Sequence, residues 1–349
     1  MKILGIDTSC DDTSAAVVAD GHLVLSNVVN SQIRLHHPYG GVVPELASRE
    51  HIRNIVPVVD EALFRAKLEL KDLDGIAVTV GPGLIGSLLV GLYYAKALNY
   101  VSQIPLVAIN HLEGHLLSIF LEEDTPPFPF VALTISGGHT CLYHVKGFGN
   151  YTLMGQTLDD AAGEAFDKVS KILGLGYPGG AVIEKLARIG QKDKVNFPRA
   201  YLAPDSFDFS FSGLKTSVSL YVNKWRQSEG EEADVKMTDI AASFQEAVID
   251  VLVGKIMKAR EKTRVSSTVI AGGVACNQSL RERLKSIAAK KGIGVYYPHS
   301  EYCTDNGAMI AVAGYHRFIH GERADLSTDV RSRFPIEDLA SITLEGEEV

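Results

Sequence analysis

The apolar positions of this chain fall into short β-branched runs that alternate with longer stretches of helical spacing. Residues 2–6 (KILGI) form a short, mainly apolar run, residues 7–14 (DTSCDDTS) are polar, and residues 15–18 are apolar again. That order predicts a strand, a polar turn and a second strand. Residues 31–41 (SQIRLHHPYGG) read as a loop, and residues 43–68 repeat their apolar positions every three to four and predict a helix. A buried-type strand is predicted at 75–80, followed by a glycine-rich turn (GPGLIG, 81–86) into a strongly apolar helix over 87–101. Residues 105–109 predict another strand. From His111 the spacing turns helical, with Leu112, His115, Leu116 and Ile119 at steps of three and four and Asn110 in the N-cap position.

The opening pattern then returns. Residues 131–135 (VALTI), 136–140 (SGGHT) and 141–145 (CLYHV) repeat the strand, small polar turn and strand of residues 4–18, which predicts a duplicated domain. The charged, proline-rich stretch 122–129 (EEDTPPFP) between the copies is the expected hinge. Residues 157–169 predict an acidic helix whose apolar stripe is Leu158, Ala161, Ala162, Ala165, Phe166 and Val169. Asp160, Glu164 and Asp167 share a neighbouring face, which on spacing alone reads as a solvated acidic face. A turn (LGYPGG, 175–180) precedes a short helix to residue 187. An aromatic alternation at 207–216 predicts a strand running into a helix, and a long helix follows at 240–262. A third buried strand (267–271) leads into GGVACN and a helix carrying Arg281, Arg283 and Lys285. A short strand at 295–298 and a last helix to about residue 319, capped by Asp305 or Asn306, complete the pattern. The tail from residue 327 carries Arg331 and Arg333 and reads as a strap or a partner contact.

Composition narrows the class. With 349 residues, 46% hydrophobic and 22% charged, the chain is long enough for two globular domains. The longest apolar stretch, 84–95, is too short to span a bilayer, and MKILGID has no signal-peptide pattern. Cys10, Cys141, Cys276 and Cys303 are scattered without a C-x-x-C pair, so a reducing, cytoplasmic setting is expected. The net charge of −8 predicts weak binding of nucleic acid without a partner or a local basic patch.

The candidate chemistry centres on NHLEGHLLS. On a helix His111 and His115 lie one turn apart on the same face, where two imidazoles can share a divalent cation. The stretch differs from the zinc-protease H-E-x-x-H: Leu112 follows the first histidine, and Glu113 points elsewhere on the helix. Spacing alone leaves open two unrelated histidines at a helix start. His36, His37 and His51 have no metal spacing and read as surface residues. The Ser- and Thr-rich turns can offer hydroxyl and N–H groups to an anion, or be plain hairpin loops. Residues 81–86 match neither nucleotide-loop motif and read as close packing of a helix on a sheet.

Strand-and-turn motifs in two similar halves resemble the actin-like ATPase and sugar-kinase superfamily. H-x-x-x-H, S-G-G-H-T, G-E-A-F-D-K and G-G-V-x-x-N, in that order over nearly the whole chain, further resemble the tRNA N6-adenosine threonylcarbamoyltransferase family. The resemblance implies an α/β fold of two duplicated RNase H-like domains, residues 1–125 plus 306–349 and residues 126–305, with the active site in the cleft between them. It implies transfer of threonylcarbamoyl from threonylcarbamoyl-AMP to N6 of the adenosine 3′-adjacent to the tRNA anticodon, with release of AMP. His111, His115 and Asp305 would be the ligands of one divalent metal, iron(II) or else zinc. Thr134, Ile135, Ser136, Gly137 and Gly138 would hold the acyl-adenylate phosphate region. Asp167, Gly180 and Glu184 would contact the nucleoside, and Asn277 its adenosine side. Asp11 is the candidate acceptor of the amine proton. The implied partners are tRNA, a paralogous metal-free subunit of the same fold and a small ATPase, and no membrane. Two departures stand out: DTSCDDTS where the family commonly has ETSCDET, and Thr134 where an aliphatic residue is usual. An ATP-dependent kinase or ATPase of the same fold, a metallopeptidase and a non-enzymatic scaffold are the alternative classes.

Overall fold

The computed structural model describes residues 1–203, 205–227 and 235–339. The first half runs β1 (Lys2–Asp7), β2 (Asp12–Ala19), β3 (Leu23–Ser31), α1 (Ile33–His36), α2 (Pro44–Ala66), β4 (Gly75–Gly81), α3 (Ile85–Ser102), β5 (Leu106–Asn110) and α4 (His111–Leu117). The second half runs β6 (Phe130–Ile135), β7 (Thr140–Gly147), β8 (Asn150–Gln156), α5 (Ala162–Leu173), α6 (Gly179–Ala187), α7 (Ser212–Gln227) and α8 (Met237–Thr263). It continues with β9 (Ser267–Ala271), α9 (Gln278–Lys291), β10 (Gly294–Tyr296) and α10 (Ser300–Cys303), and the chain then forms α11 (Gly307–Ile319).

The duplication is visible in the sheets. One has strand order β3-β2-β1-β4-β5 and the other, read from its far edge, β8-β7-β6-β9-β10. In each, an antiparallel three-strand meander is extended by two parallel strands. The central strands β1, β4, β6 and β9 are buried almost throughout, as parallel strands covered on both faces must be. Helix α11 closes the first sheet: it packs on β1, β2 and β4, and Gly5, Gly307 and Gly314 leave no room for a Cβ at those crossings. The described part of the tail is a strap on its own chain. Arg331 N–H donates to the Val80 carbonyl at 2.7 Å, and Phe334 packs against the first core.

Several expectations change. The strands β3 and β8 have no counterpart among the elements that the apolar pattern predicts. The segment expected as a loop at 31–41 contains α1. His36 and His51 are buried, not on the surface. His51 accepts a hydrogen bond from Thr13 Oγ1 through Nδ1 at 2.7 Å and donates through Nε2 to the Cys10 carbonyl at 3.0 Å, pinning the polar turn to α2. The helix expected from residue 157 begins at Ala162, so Leu158 is exposed and Asp160 precedes the helix, where Lys168 and Lys215 hold it. The aromatic segment at 207–216 supplies one bridge, Phe209 to Thr157, before α7. Asn306, not Asp305, caps α11, its side chain accepting from Met309 N–H at 3.0 Å. Asp305 is thereby left free for other work. Among the described residues no helix is long and apolar enough to cross a membrane.

Candidate metal centre and cleft

Asn110 at the end of β5 caps α4. Its Oδ1 accepts from Leu112 N–H at 2.8 Å and Glu113 N–H at 3.3 Å, while its Nδ2 donates to the Phe334 carbonyl at 2.8 Å. This fixes both histidines in a wholly buried turn. The imidazole rings stand edge to face with centroids 4.7 Å apart. Asp305, carried by the short link between α10 and α11, brings Oδ1 to 3.1 Å from His115 Nε2 and 3.5 Å from His111 Nε2. One donor atom from each of the three lies within 4.8 Å of the others.

Electrostatics favour a cation here. Burial disfavours charge on His111, yet the Asp305 and Asp7 carboxylates outweigh it and push its pKa up to about 9. Asp305 is held well below the usual carboxylate range despite burial, by His111 and His115. Carboxylates that stabilise a proton on an imidazole stabilise a metal ion in the same place. Two imidazole nitrogens and one carboxylate oxygen fit iron(II) or zinc better than magnesium, which takes oxygen ligands.

His111 and Asp305 also line a cavity of about 860 Å³ between the two sheets. Of the residues singled out in the sequence, Asp11, Ser136, Gly137, Gly138, Asp167, Gly180, Glu184 and Asn277 line it as well. Thr134 and Ile135 do not. They lie inside β6, where the Thr134 hydroxyl donates to the Cys141 carbonyl at 3.3 Å. Ser136 N–H is committed to the His139 carbonyl at 2.8 Å. Gly137 and Gly138 N–H have no acceptor among the described residues, and space beside both is open. Gly163 lets the start of α5 approach this loop, since a Cβ there would stand 2.5 Å from the Ser136 carbonyl oxygen.

Asp167 lines the cavity, half-buried, rather than a solvated face. Its Oδ1 accepts from Gly179 N–H at 2.6 Å, and burial pushes its pKa to about 6. Glu184 accepts from Gln278 N–H at 2.9 Å, tying α6 to α9. The Asn277 amide is used at both ends: Oδ1 accepts from Leu280 N–H at 3.0 Å and Nδ2 donates to Gln245 at 2.7 Å. Asn277 therefore shapes the wall, and its own side chain is spoken for.

Two groups to which the sequence assigns no role belong to this cavity. Asp12 lines it beside Asp11, and burial lifts its carboxyl to about 7, with Asp305, Asp11 and Asp7 adding to the rise. Asp11 is raised in the same direction, again chiefly by burial. His139, inside the S-G-G-H-T motif, is lowered to about 4 by burial and by the neighbouring His111 and His115, so it is neutral at pH 7. Its motif was the available signal; its direction was not.

A family model described as tRNA N6-adenosine threonylcarbamoyltransferase matches residues 23–312. The protein of that name from Thermodesulfovibrio yellowstonii is 54% identical over 336 residues, 96% of this chain and 100% of that one. Its counterpart from Syntrophus aciditrophicus is 52% identical over 337 residues, 97% and 98% of the two chains. Among solved structures, component A of the (R)-2-hydroxyglutaryl-CoA dehydratase of Acidaminococcus fermentans superposes with TM-score 0.54 at 18% identity, covering 91% of this chain and 98% of that one. Full-length HypF superposes with TM-score 0.60 at 14% identity, covering 91% and 55%. At these identities the structural likeness is one of fold, the two-domain actin-like ATPase fold.

Proposed function

The chain belongs to the tRNA N6-adenosine threonylcarbamoyltransferase family, and from that premise we propose how its cleft does this work. The donor is threonylcarbamoyl-AMP and the acceptor is N6 of the adenosine 3′-adjacent to the tRNA anticodon. N6 attacks the carbamoyl carbon, the bond from that carbon to the phosphate oxygen breaks, and AMP leaves with the electron pair. The donor is a mixed anhydride, so no covalent Ser or Cys nucleophile is required. Catalysis then rests on alignment and on stabilising charge at the phosphate and the carbonyl oxygen. The observation that supports this reading best is one cavity bordered by the histidine–aspartate cluster, by unpaired glycine N–H groups and by the Asp167–Glu184 wall.

His111, His115 and Asp305 would hold the metal, iron(II) or else zinc. When bound it supplies a Lewis acid and a template for oxygen atoms. Gly137 and Gly138 N–H groups face the phosphate region, with Ser136 shaping their loop. Asp167, Gly180 and Glu184 border the nucleoside, and Asn277 holds the wall on its adenosine side. Asp11 takes the amine proton; its raised carboxyl is nearer the working pH than an exposed aspartate. Asp12, at about 7, stands beside it as a reserve base. We further assign residues 1–125 plus 306–349 to one domain and 126–305 to the other. The packing of α11 on the first sheet supports this, and residues 340–349 lie outside those described. The partners are tRNA, a paralogous subunit of the same fold and a small ATPase, in the cytoplasm.

Of the other classes, a metallopeptidase fits poorly. Glu113, the carboxylate beside the histidines, is buried in an ion pair with Arg317 and cannot serve as a base in the cleft. The test is reconstitution of the chain with its partners, a tRNA transcript and threonylcarbamoyl-AMP, followed by nucleoside mass spectrometry. The modified adenosine should appear. His115→Ala should lose bound metal and transfer together, and full transfer by a metal-free variant would remove the metal from the mechanism. ATP turnover with no modified nucleoside would favour the kinase class.

A further inference from the structure

His111 Nδ1 and Asp7 Oδ1 are both buried, and neither has a hydrogen-bond partner among the described residues. They face each other at 3.5 Å. Asp7 ends β1 and is fully buried; its other oxygen accepts from the Ser9 hydroxyl at 3.1 Å. The opposite edge of the His111 ring faces Asp305, so this imidazole stands between two carboxylates, one at each nitrogen. His115 is built differently. Its Nε2 faces Asp305, while its Nδ1 is buried without a partner.

A buried carboxylate oxygen without a hydrogen-bond donor is costly, and an orphan N–H beside it is a second cost. Bringing the two together removes both. An imidazole that ligates a metal through one nitrogen also needs its other N–H held by an acceptor, which sets the tautomer and the ring angle. We propose that Asp7 is the positioning residue of the metal centre, taking the Nδ1–H of His111 and so fixing Nε2 as the ligating atom. The inference rests on reading His111, His115 and Asp305 as metal ligands. The carboxylates of the polar segment at 7–14 then have separate roles, with Asp7 facing the metal helix and Asp11 and Asp12 facing the cavity.

The test is titration of the purified full chain with Co(II), followed by visible absorption. Wild type should take up one equivalent. Asp7→Asn keeps the shape and an acceptor oxygen but loses the charge; Asp7→Ala loses both. Both should weaken Co(II) binding, within about 10- to 100-fold, with Asp7→Ala the weaker binder. The absorption band of the bound ion should shift in Asp7→Ala, which a purely structural role would leave in place. Melting temperature without added metal separates folding from ligation, and Asp7→Asn carries the test if Asp7→Ala does not fold. Folded Asp7 variants with wild-type affinity and spectrum would overturn the inference while His111→Ala still loses the ion. Failure of wild type to bind one equivalent would instead overturn the ligand reading, and the role of Asp7 with it.

Discussion

Tyr151 Oη donates to Glu113 Oε1 at 2.9 Å, so a strand of the second sheet is hydrogen-bonded to the helix that carries both histidines. The same carboxylate takes two hydrogen bonds from Arg317 of α11, and Arg317 also reaches Glu322. Glu113 and Arg317 are almost completely buried. Burial pushes the Glu113 carboxyl up, and Arg317 pulls it back toward the ionised form. Three elements are thus tied at one charged point behind the histidine pair.

Breaking that point from one side should be severe. Arg317→Met leaves the Glu113 charge buried without its partner and should destabilise the protein by about 3–5 kcal/mol. Adding Glu113→Gln to Arg317→Met removes the orphaned charge and should recover much of the loss. Urea denaturation of the two single variants and the pair measures this. An additive pair would mean that the two groups do not act on each other.

How far the sequence reveals this site depends on distance along the chain. His111 and His115 are legible because four residues make one helical turn. Asp305 lies 190 residues away and in the sequence competes with Asn306 for a capping role; only α11 packing on the first sheet brings it to α4. Glu113 shows no partner in the sequence because Arg317 is 204 residues distant. Asp7 opens the polar turn DTSCDDTS, and nothing in that pattern points it at His111. The buried central strands are legible as apolar runs, whereas β3 mixes exposed and half-buried positions as an edge strand does and gives no clean alternation. His36 and His51 illustrate the converse error: without partners in view, a polar side chain reads as exposed.

Asp12 should trade stability for function. Its folded carboxyl titrates at about 7 against an ordinary 3.8. Between those values the folded protein holds a proton that the unfolded chain releases, so stability falls as pH rises through this window. Above pH 7 the full deficit is present. Asp12→Asn should therefore stabilise the free protein at pH 8 by roughly 1–3 kcal/mol and leave it nearly unchanged at pH 4. Melting curves at the two pH values decide it; equal shifts at both would assign the effect to packing instead.

Asp167 should separate anchoring from charge. Its Oδ1 accepts from Gly179 N–H and so holds the turn that leads into α6 beside Gly180. Asp167→Asn can keep that acceptor, so its melting temperature should stay near wild type while affinity for AMP drops. Asp167→Ala releases the turn and should lower both. Calorimetric AMP titration alongside thermal melts checks the pair. Wild-type AMP affinity in Asp167→Asn would mean that the carboxylate serves only the turn.

The proposed partner surface is best probed at exposed positions of α2 and α3. Leu92, at the middle of α3, is fully buried in the first core, so a charge there would unfold the domain and say nothing about docking. Exposed apolar groups on the outer faces of α2 and α3 include Ile52, Val56 and Phe64 on one and Tyr93, Tyr100 and Val101 on the other. Phe64 is 77% exposed, Tyr93 61% and Val101 81%, and the two helices pack side by side. Large apolar groups gathered on neighbouring helices are costly to leave in water and suit a partner of like surface. A chain of net charge −8 also gains from partners when it must hold tRNA phosphates. Phe64→Glu and Tyr93→Glu should each leave the melting temperature within a few degrees of wild type. Each should also abolish both co-elution with the proposed paralogous subunit and multiple-turnover tRNA modification. If both variants still form the complex and turn over normally, the docking face lies elsewhere.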